Sequence, residues 1–334
     1  MDFGVRGHAP GGHHRQVIEP SPAIAPAVSF VVIAFNEQAH ATKCLRAILD
    51  QRTNTSFELI LVDDGSTDGT VDAATAAAAG DRRFRLVRQP ENRGRGAARA
   101  AGVEAARGQA IAFVDADITL PSDWLERCLV ELPGHAAVGG VAVPDGDATV
   151  LARVSGATPR VVPGKVPITG NNVLFDKAAL EGTGFDPRDR LGEDFRLAVR
   201  LKQSGQRLKR VPGLLVRHEE SKSYLDAIRW RFENGVDAST LWRELGIVRF
   251  ADVVWIGWVS AWIVAIVAAV ASSPWWLLLG LLASVAGGLA HANSRFHRRP
   301  VVPFLAVCLA DVPVFTAYML GRTAGIPRLL RGRR

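Results

Sequence analysis

The chain has 334 residues, 48% of them hydrophobic, and a formal net charge of +7. That length accommodates one catalytic domain of roughly 200–250 residues plus an appendage. Much of the basic excess lies beside apolar segments (Arg295, Arg298 and Arg299, then Arg328, Arg331, Arg333 and Arg334), which favours an anionic membrane surface, and no zinc-finger spacing, RNP-like motif or basic-plus-heptad region supports a nucleic-acid partner.

Residues 1–27 are rich in Gly, Pro, Ala and His and lack the apolar stretch of a signal peptide, so they read as a disordered leader. His8, His13 and His14 belong to that polar tail. Val28–Phe35 is a β-branched apolar run, expected to form a strand buried on both faces. Then come a helix over Glu37–Gln51, a strand over Phe57–Val62, a small-residue helix over Asp68–Ala79 and a strand over Phe84–Arg88. A helix over Gly94–Ala106 and a strand over Gln109–Val114 complete the alternation. Strands alternating with helices across short loops predict an α/β domain with a mostly parallel sheet. Ligands of such sheets bind at the carboxyl ends of the strands. Here those ends carry Asn36-Glu37, Asp63-Asp64-Gly65-Ser66 and Asp115-Ala116-Asp117.

Further along, the pattern predicts a helix over Pro121–Leu132, a strand over Ala137–Val143, a polar loop over Asp145–Pro167 and an apolar segment at Gly170–Phe175. It then predicts a helix over Gly192–Gln203, an extended stretch over Arg207–Val216 and one helix over Ser221–Leu245. Cys44, Cys128 and Cys308 are far apart, which indicates neither a disulfide framework nor a cysteine zinc site. From Val253 to Ser294 no residue is charged, about twice the length one membrane-spanning helix needs, and Ser272-Ser273-Pro274 breaks it midway. Two spans are expected, Val253–Ala271 and Trp275–Ala292, as a tight hairpin. A third apolar segment, Val301–Leu320, contains Asp311 and two prolines. It either spans or lies in the interface, and the interfacial placement keeps the basic tail on the side of the catalytic domain. The expected division is a leader at 1–27, the α/β domain at 28–248, the hairpin at 249–294, and a basic loop, third segment and tail at 295–334.

Several clusters carry chemistry. An acidic pair such as Asp63-Asp64 can hydrogen-bond a ribose or base N–H, although a surface turn whose aspartates cap the next helix reads equally well. Asp115 and Asp117 sit two apart after a strand; two carboxylates on one side hold a divalent cation such as Mg²⁺ or Mn²⁺, with substrate phosphates completing the shell. Arg95 and Arg99 share a helix face behind Gly94 and Gly96, an arrangement suited to phosphate or to a plain solvated basic face. Glu193-Asp194 opens a helix, where a carboxylate can take a hydroxyl proton or simply complement the helix dipole. His218 is a candidate to complete the metal site or touch a diphosphate.

The ordered series VVIAFNE, LVDDGSTDGT, ENRGRGAARAAG, FVDADITLPSDWLE and GEDFRLAVRL resembles the family-2 glycosyltransferases of the GT-A fold, over roughly Val28–Leu245. The resemblance implies that Phe35, Glu37, Asp63 and Asp64 contact the nucleotide; Arg95, Arg99, Asp115 and Glu193 are expected beside them at the nucleotide sugar. It implies that Asp115 and Asp117 hold nucleotide and metal, beside which His218 is a further candidate ligand, and that Asp194 is the catalytic base. It implies one inverting transfer from a nucleotide diphosphate sugar, uridine before guanosine; the apolar hairpin, as a membrane anchor, adds the expectation of a lipid-linked or membrane-proximal acceptor in cell-envelope glycan or glycolipid synthesis. The expected location is the cell membrane, multi-pass, with the catalytic domain cytoplasmic. The chain departs from the family pattern at Ala34-Phe35, where proline and tyrosine are common, at Ala100 for asparagine, and at Arg196 for an acidic residue. Processive synthases carry Q-x-x-R-W; here Arg229-Trp230, the expected acceptor region, has Asp226 at the glutamine position. That disfavours a polymer-extruding synthase, and retention of Asp117 and Asp194 disfavours a non-catalytic scaffold.

Overall fold

A computed structural model describes residues 16–18, 25–145, 170–219, 223–246, 248–295 and 301–327. Most of the leader with its three histidines, the polar loop after Asp145, and the basic residues Arg298, Arg299 and Arg328–Arg334 lie outside the described residues.

Within the stretch read as a disordered leader, Gln16–Ile18 forms a strand, β1, running antiparallel to β4 (Phe84–Arg88). It occupies backbone groups that β4 would otherwise leave open as a sheet edge. The central strand β2 (Val28–Ala34) pairs in parallel with β3 (Phe57–Asp63) on one side and β5 (Ala110–Asp115) on the other. Its apolar run has a reason on each face. Phe30 and Val32 join a core with Leu45 and Ile48 of α1 (Ala41–Leu49) and with Trp124 and Leu125 of α4 (Trp124–Glu131). Val31 and Ile33 join a second core with Ala98 and Ala101 of α3 (Arg95–Ala105). α2 (Thr70–Ala78) lies between β3 and β4 in the chain and adds Ala74 and Ala77 to the first core. The small residues of α3 let it lie close to the sheet; a Cβ on Gly102 would stand 2.3 Å from Val31 Cγ1.

The nine-stranded order is β1-β4-β3-β2-β5-β8-β7-β9-β6, with β6 (Ile118–Thr119), β7 (Ala137–Pro144), β8 (Asn172–Asp176) and β9 (Leu208–His218). The β4-β3-β2-β5 half is parallel, as expected; the far half is mixed, because β8 runs antiparallel to both β5 and β7. Helices α5 (Lys177–Leu180) and α6 (Glu193–Gln203) follow, and α6 supplies Leu197 and Leu201 to the second core. The helix expected over Ser221–Leu245 is two helices, α7 (Tyr224–Ala238) and α8 (Leu241–Leu245), parted at Ser239-Thr240.

The hairpin consists of α9 (Phe250–Ala271), a 3-10 turn at Pro274–Trp276 and α10 (Leu277–Arg295). Both arms are long and apolar enough to cross a membrane. Trp258 and Trp262 each donate an indole N–H to Ser284 Oγ across the arms, at 2.9 and 3.3 Å. The third segment is α11 (Val301–Ala324), packed along both α7 and α10.

Candidate active site

The register of the sheet gathers the sequence-distant acids. Ala34 lies beside Asp63, and Ile33 beside Asp115, so the chain leaves β2, β3 and β5 at one edge. A cavity of about 670 Å³ opens there. Phe35, Glu37, Asp64, Arg95, Asp115 and Asp117 line it, together with Asn92 and Arg190. Trp230, Phe232, Glu233, Val236 and Asp237 of α7 form the facing wall.

Local turns fix these side chains. Asn36 takes a left-handed φ of 56°, and its Oδ1 accepts the Thr67 N–H at 2.9 Å, which folds the β2 exit against the loop after β3. The Glu37 N–H donates to Thr70 Oγ1 at 2.8 Å. Asp64 accepts the N–H groups of Arg93 and Gly94 at 3.0 and 2.9 Å, anchoring the entry to α3. Burial raises its pKa, and those two bonds pull the other way. Asp63, by contrast, is fully buried away from the cavity; it accepts the Ser66 N–H at 3.1 Å and pairs with Arg88 at 3.4 Å. Of the two aspartates, the second faces the cavity and the first holds the turn.

Arg95 and Arg99 also part ways. Arg95 lines the cavity, and Asp115 and Glu193 outweigh the effect of burial to raise its pKa. Arg99 is buried beneath it. Its guanidinium donates to Glu193 Oε1 at 2.9 Å, to the Gly170 carbonyl at 2.8 Å and to Asp115 Oδ1 at 2.8 Å. Glu193 is buried with it, and burial pushes its carboxyl up despite Arg99. The pair expected at the nucleotide sugar is therefore a strut under the floor. Gly96 likewise serves protein packing; a Cβ there would stand 2.4 Å from the Asp186 and Asp189 carbonyls.

Asp115 and Asp117 both face the cavity but are held differently, Asp115 by Arg99 and Asp117 by His218, whose Nε2 lies 3.0 Å from its Oδ2. The short β6–β9 pairing sets Ile118 opposite His218 and so delivers the imidazole. Among the described residues no three His, Cys, Asp or Glu side chains form a cage for an ion. Two carboxylates, with the imidazole turned to Asp117, fit an ion of the magnesium or manganese kind only where substrate phosphate and water supply most of its shell.

Asp194 starts α6 beside this cluster. Its oxygens accept the Gly170 N–H at 2.9 Å and the Phe195 N–H at 2.7 Å, and it is not among the cavity-lining residues. Arg196, where the family often has an acid, is buried against three carboxylates: Asp237 and Glu244 at 2.8 Å each and Asp189 at 3.6 Å. It thereby ties α6 to α7 and α8. Of the acceptor pair, Trp230 lines the cavity and Arg229 is exposed outside it. Sequence reasoning missed Asn92, Arg190, Phe232, Glu233 and Asp237. The spacing of Trp230, Glu233 and Asp237 on a helix was the available signal for the last two.

The family described as Glycosyl transferase family 2 matches residues 29–179, and Glycosyl transferase family group 2 matches residues 110–320, more than half of the chain. EpsH of Bacillus subtilis is 42% identical over 104 residues, 31% of this chain and 30% of that protein. The glycosyltransferase AglE of Haloferax volcanii is 33% identical over 118 residues, 34% of this chain and 39% of that protein. These alignments span about a third of the length of the curated relatives. The solved structure of the mannosyltransferase PcManGT from Pyrobaculum calidifontis, in complex with GDP-Man and Mn²⁺, superposes with a TM-score of 0.57. It is 23% identical, with 94% of this chain and 89% of that one covered, and it shares the fold.

Proposed function

This chain is a member of the family-2 glycosyltransferases, and we propose that its cavity transfers a sugar from a nucleoside diphosphate sugar to a membrane-proximal acceptor, with inversion. The observation that carries this reading is the convergence of Glu37, Asp64 and the pair Asp115 and Asp117, from the ends of β2, β3 and β5, on one cavity with Arg95 and Arg190. Phe35, Glu37 and Asp64 hold the nucleoside, and Arg95 and Arg190 take the diphosphate charge. Asp115, Asp117 and His218 would hold Mg²⁺ or Mn²⁺, which offsets charge on the departing diphosphate. Asp194, held behind the cavity lining by the Gly170 and Phe195 N–H groups, would accept the acceptor hydroxyl proton once the acceptor reaches it. The hydroxyl oxygen bonds to the anomeric carbon as the bond to the diphosphate oxygen breaks, and the nucleoside diphosphate leaves with the electron pair. A uridine diphosphate sugar is the first choice and a guanosine diphosphate sugar the second.

The apolar hairpin supports a lipid-linked acceptor and a location at the cytoplasmic face of the cell membrane. Ile256, Ile263, Val267, Leu278 and Leu282 expose large apolar area along α9 and α10, more than a soluble surface carries without a covering phase.

Asp117→Asn and Asp194→Asn test the assignment. Each is expected to abolish transfer in a screen of nucleotide sugars in native membranes. By calorimetry, Asp117→Asn loses the Mn²⁺-dependent part of donor binding, whereas Asp194→Asn keeps it. Wild-type transfer in Asp194→Asn would remove that residue as the base and direct attention to Asp237, which does line the cavity.

A further inference from the structure

We infer that the α7 wall seats an uncharged acceptor sugar, so that the attacking hydroxyl belongs to a glycan rather than to a phosphate-terminated lipid; this rests on the glycosyltransferase reading above. Trp230, Glu233 and Asp237 follow one another at i, i+3 and i+7, which places them on one face of α7, and all three line the cavity. Along this wall the Asp237 side chain is 20% exposed, as deep as the donor-end acids, and Glu233 stands further out. The Asp115 and Asp117 side chains are 15% and 19% exposed, whereas Glu233 is exposed at the mouth. A further ring on the same helix, Phe232, stands open at 39% exposure.

The chemistry of such a wall is selective. An aromatic face covers the C–H side of a pyranose ring, burying apolar area. An ionised carboxylate only accepts hydrogen bonds, so its natural partner is a group that donates, and sugar hydroxyls donate. A phosphate monoester is also an acceptor with negative charge. Placed against Glu233 it has no hydrogen to offer and meets like charge, which disfavours the contact. Asp237 is partly neutralised by Arg196 at 2.8 Å, so Glu233 is the residue that sets this preference. The acceptor loses only its hydroxyl proton, as in the transfer step above.

The test uses the full chain in detergent with the nucleotide sugar it hydrolyses. Octyl glucoside, dodecyl maltoside and farnesyl phosphate are offered as acceptors, and labelled product is counted. The expected result is transfer to at least one of the glycosides and not to farnesyl phosphate. In Glu233→Gln the acceptor KM rises about ten-fold while donor affinity by calorimetry stays within two-fold. Transfer to farnesyl phosphate alone, no transfer to any glycoside despite donor turnover, or a donor affinity that falls with Glu233→Gln each overturns the inference. Those outcomes leave the enzyme reading in place. A wild-type chain that binds no nucleotide sugar at all would overturn that reading instead.

Discussion

Arg99 never touches the cavity, yet it sets the floor. One guanidinium spans Asp115, Glu193 and the Gly170 carbonyl. Removing it by Arg99→Leu leaves Glu193 buried without its counter-charge, expected to cost about 3–5 kcal/mol. Arg99→Lys keeps the charge but loses the fork, and its loss should be smaller. Thermal unfolding in detergent ranks the two. Glu193 adds a pH signature. Burial raises its folded pKa, so the folded chain keeps a proton that the unfolded chain releases. Stability from this group is therefore present below the ordinary Glu value and declines as pH rises from there through the raised value. Glu193→Gln removes the titration, and melting temperature against pH from about 4 to 7 should fall less steeply in the variant. At this scale the acids at strand ends were legible in the sequence because a parallel sheet dictates where its loops point. The inward residues were not. Arg95 and Arg99 share a helix face, but one opens on the cavity and the other lies a turn deeper, against the second core, and spacing alone does not separate them.

At the scale of elements, the cavity wall depends on a helix crossing. α11 lies so close to α7 that a Cβ on Gly321 would stand 2.0 Å from the Phe232 carbonyl, and one on Gly235 2.2 Å from the Tyr318 carbonyl. Gly325 meets Ser239 in the same way, at 2.1 Å from Oγ. Gly321→Leu must push α7 away, carrying Trp230, Glu233 and Asp237 with it. A displacement of about 1 Å at a reacting group can cost about 10²-fold in rate. Transfer should fall by that order while donor binding, governed by β2, β3 and β5, holds. Gly257→Ala, on α9 with open space around it, is the control and should leave both unchanged. The strands and helices of the parallel half were legible from their alternation. The break between α7 and α8 was not, because it answers to a partner: Ser239 is buried under Gly325, 86 residues on in the chain. The placement of α11 was hidden for the same reason, since glycine in an apolar segment gives no hint of which helix it meets.

Over the whole molecule, the hairpin and the transferase domain are joined by more than a tether. Arg322 of α11 is buried against Asp252 of α9, which also takes Arg249 at 3.1 Å, and Asp311 of α11 pairs with His291 of α10. Buried ion pairs of this kind fix geometry even where they add little net stability. α11 thus connects the arms expected in the bilayer to α7, the wall of the cavity. Anchoring by a flexible linker would predict that a chain ending at Val248 keeps full activity on a soluble acceptor. The packing predicts otherwise. Ending there removes α11, uncovers the side of α7 that Tyr318 and Gly321 cover, and deletes Arg249, whose guanidinium donates to the Ala238 carbonyl at the end of α7. The sheet, α3 and the loop holding Asp64 are untouched by the cut. The truncated chain should therefore bind the nucleotide sugar with affinity near that of the full chain, and its transfer rate should drop about 10²-fold or more. Calorimetry and a transfer assay on the two proteins side by side measure both quantities. Equal transfer rates would show that the wall of the cavity stands without the anchor.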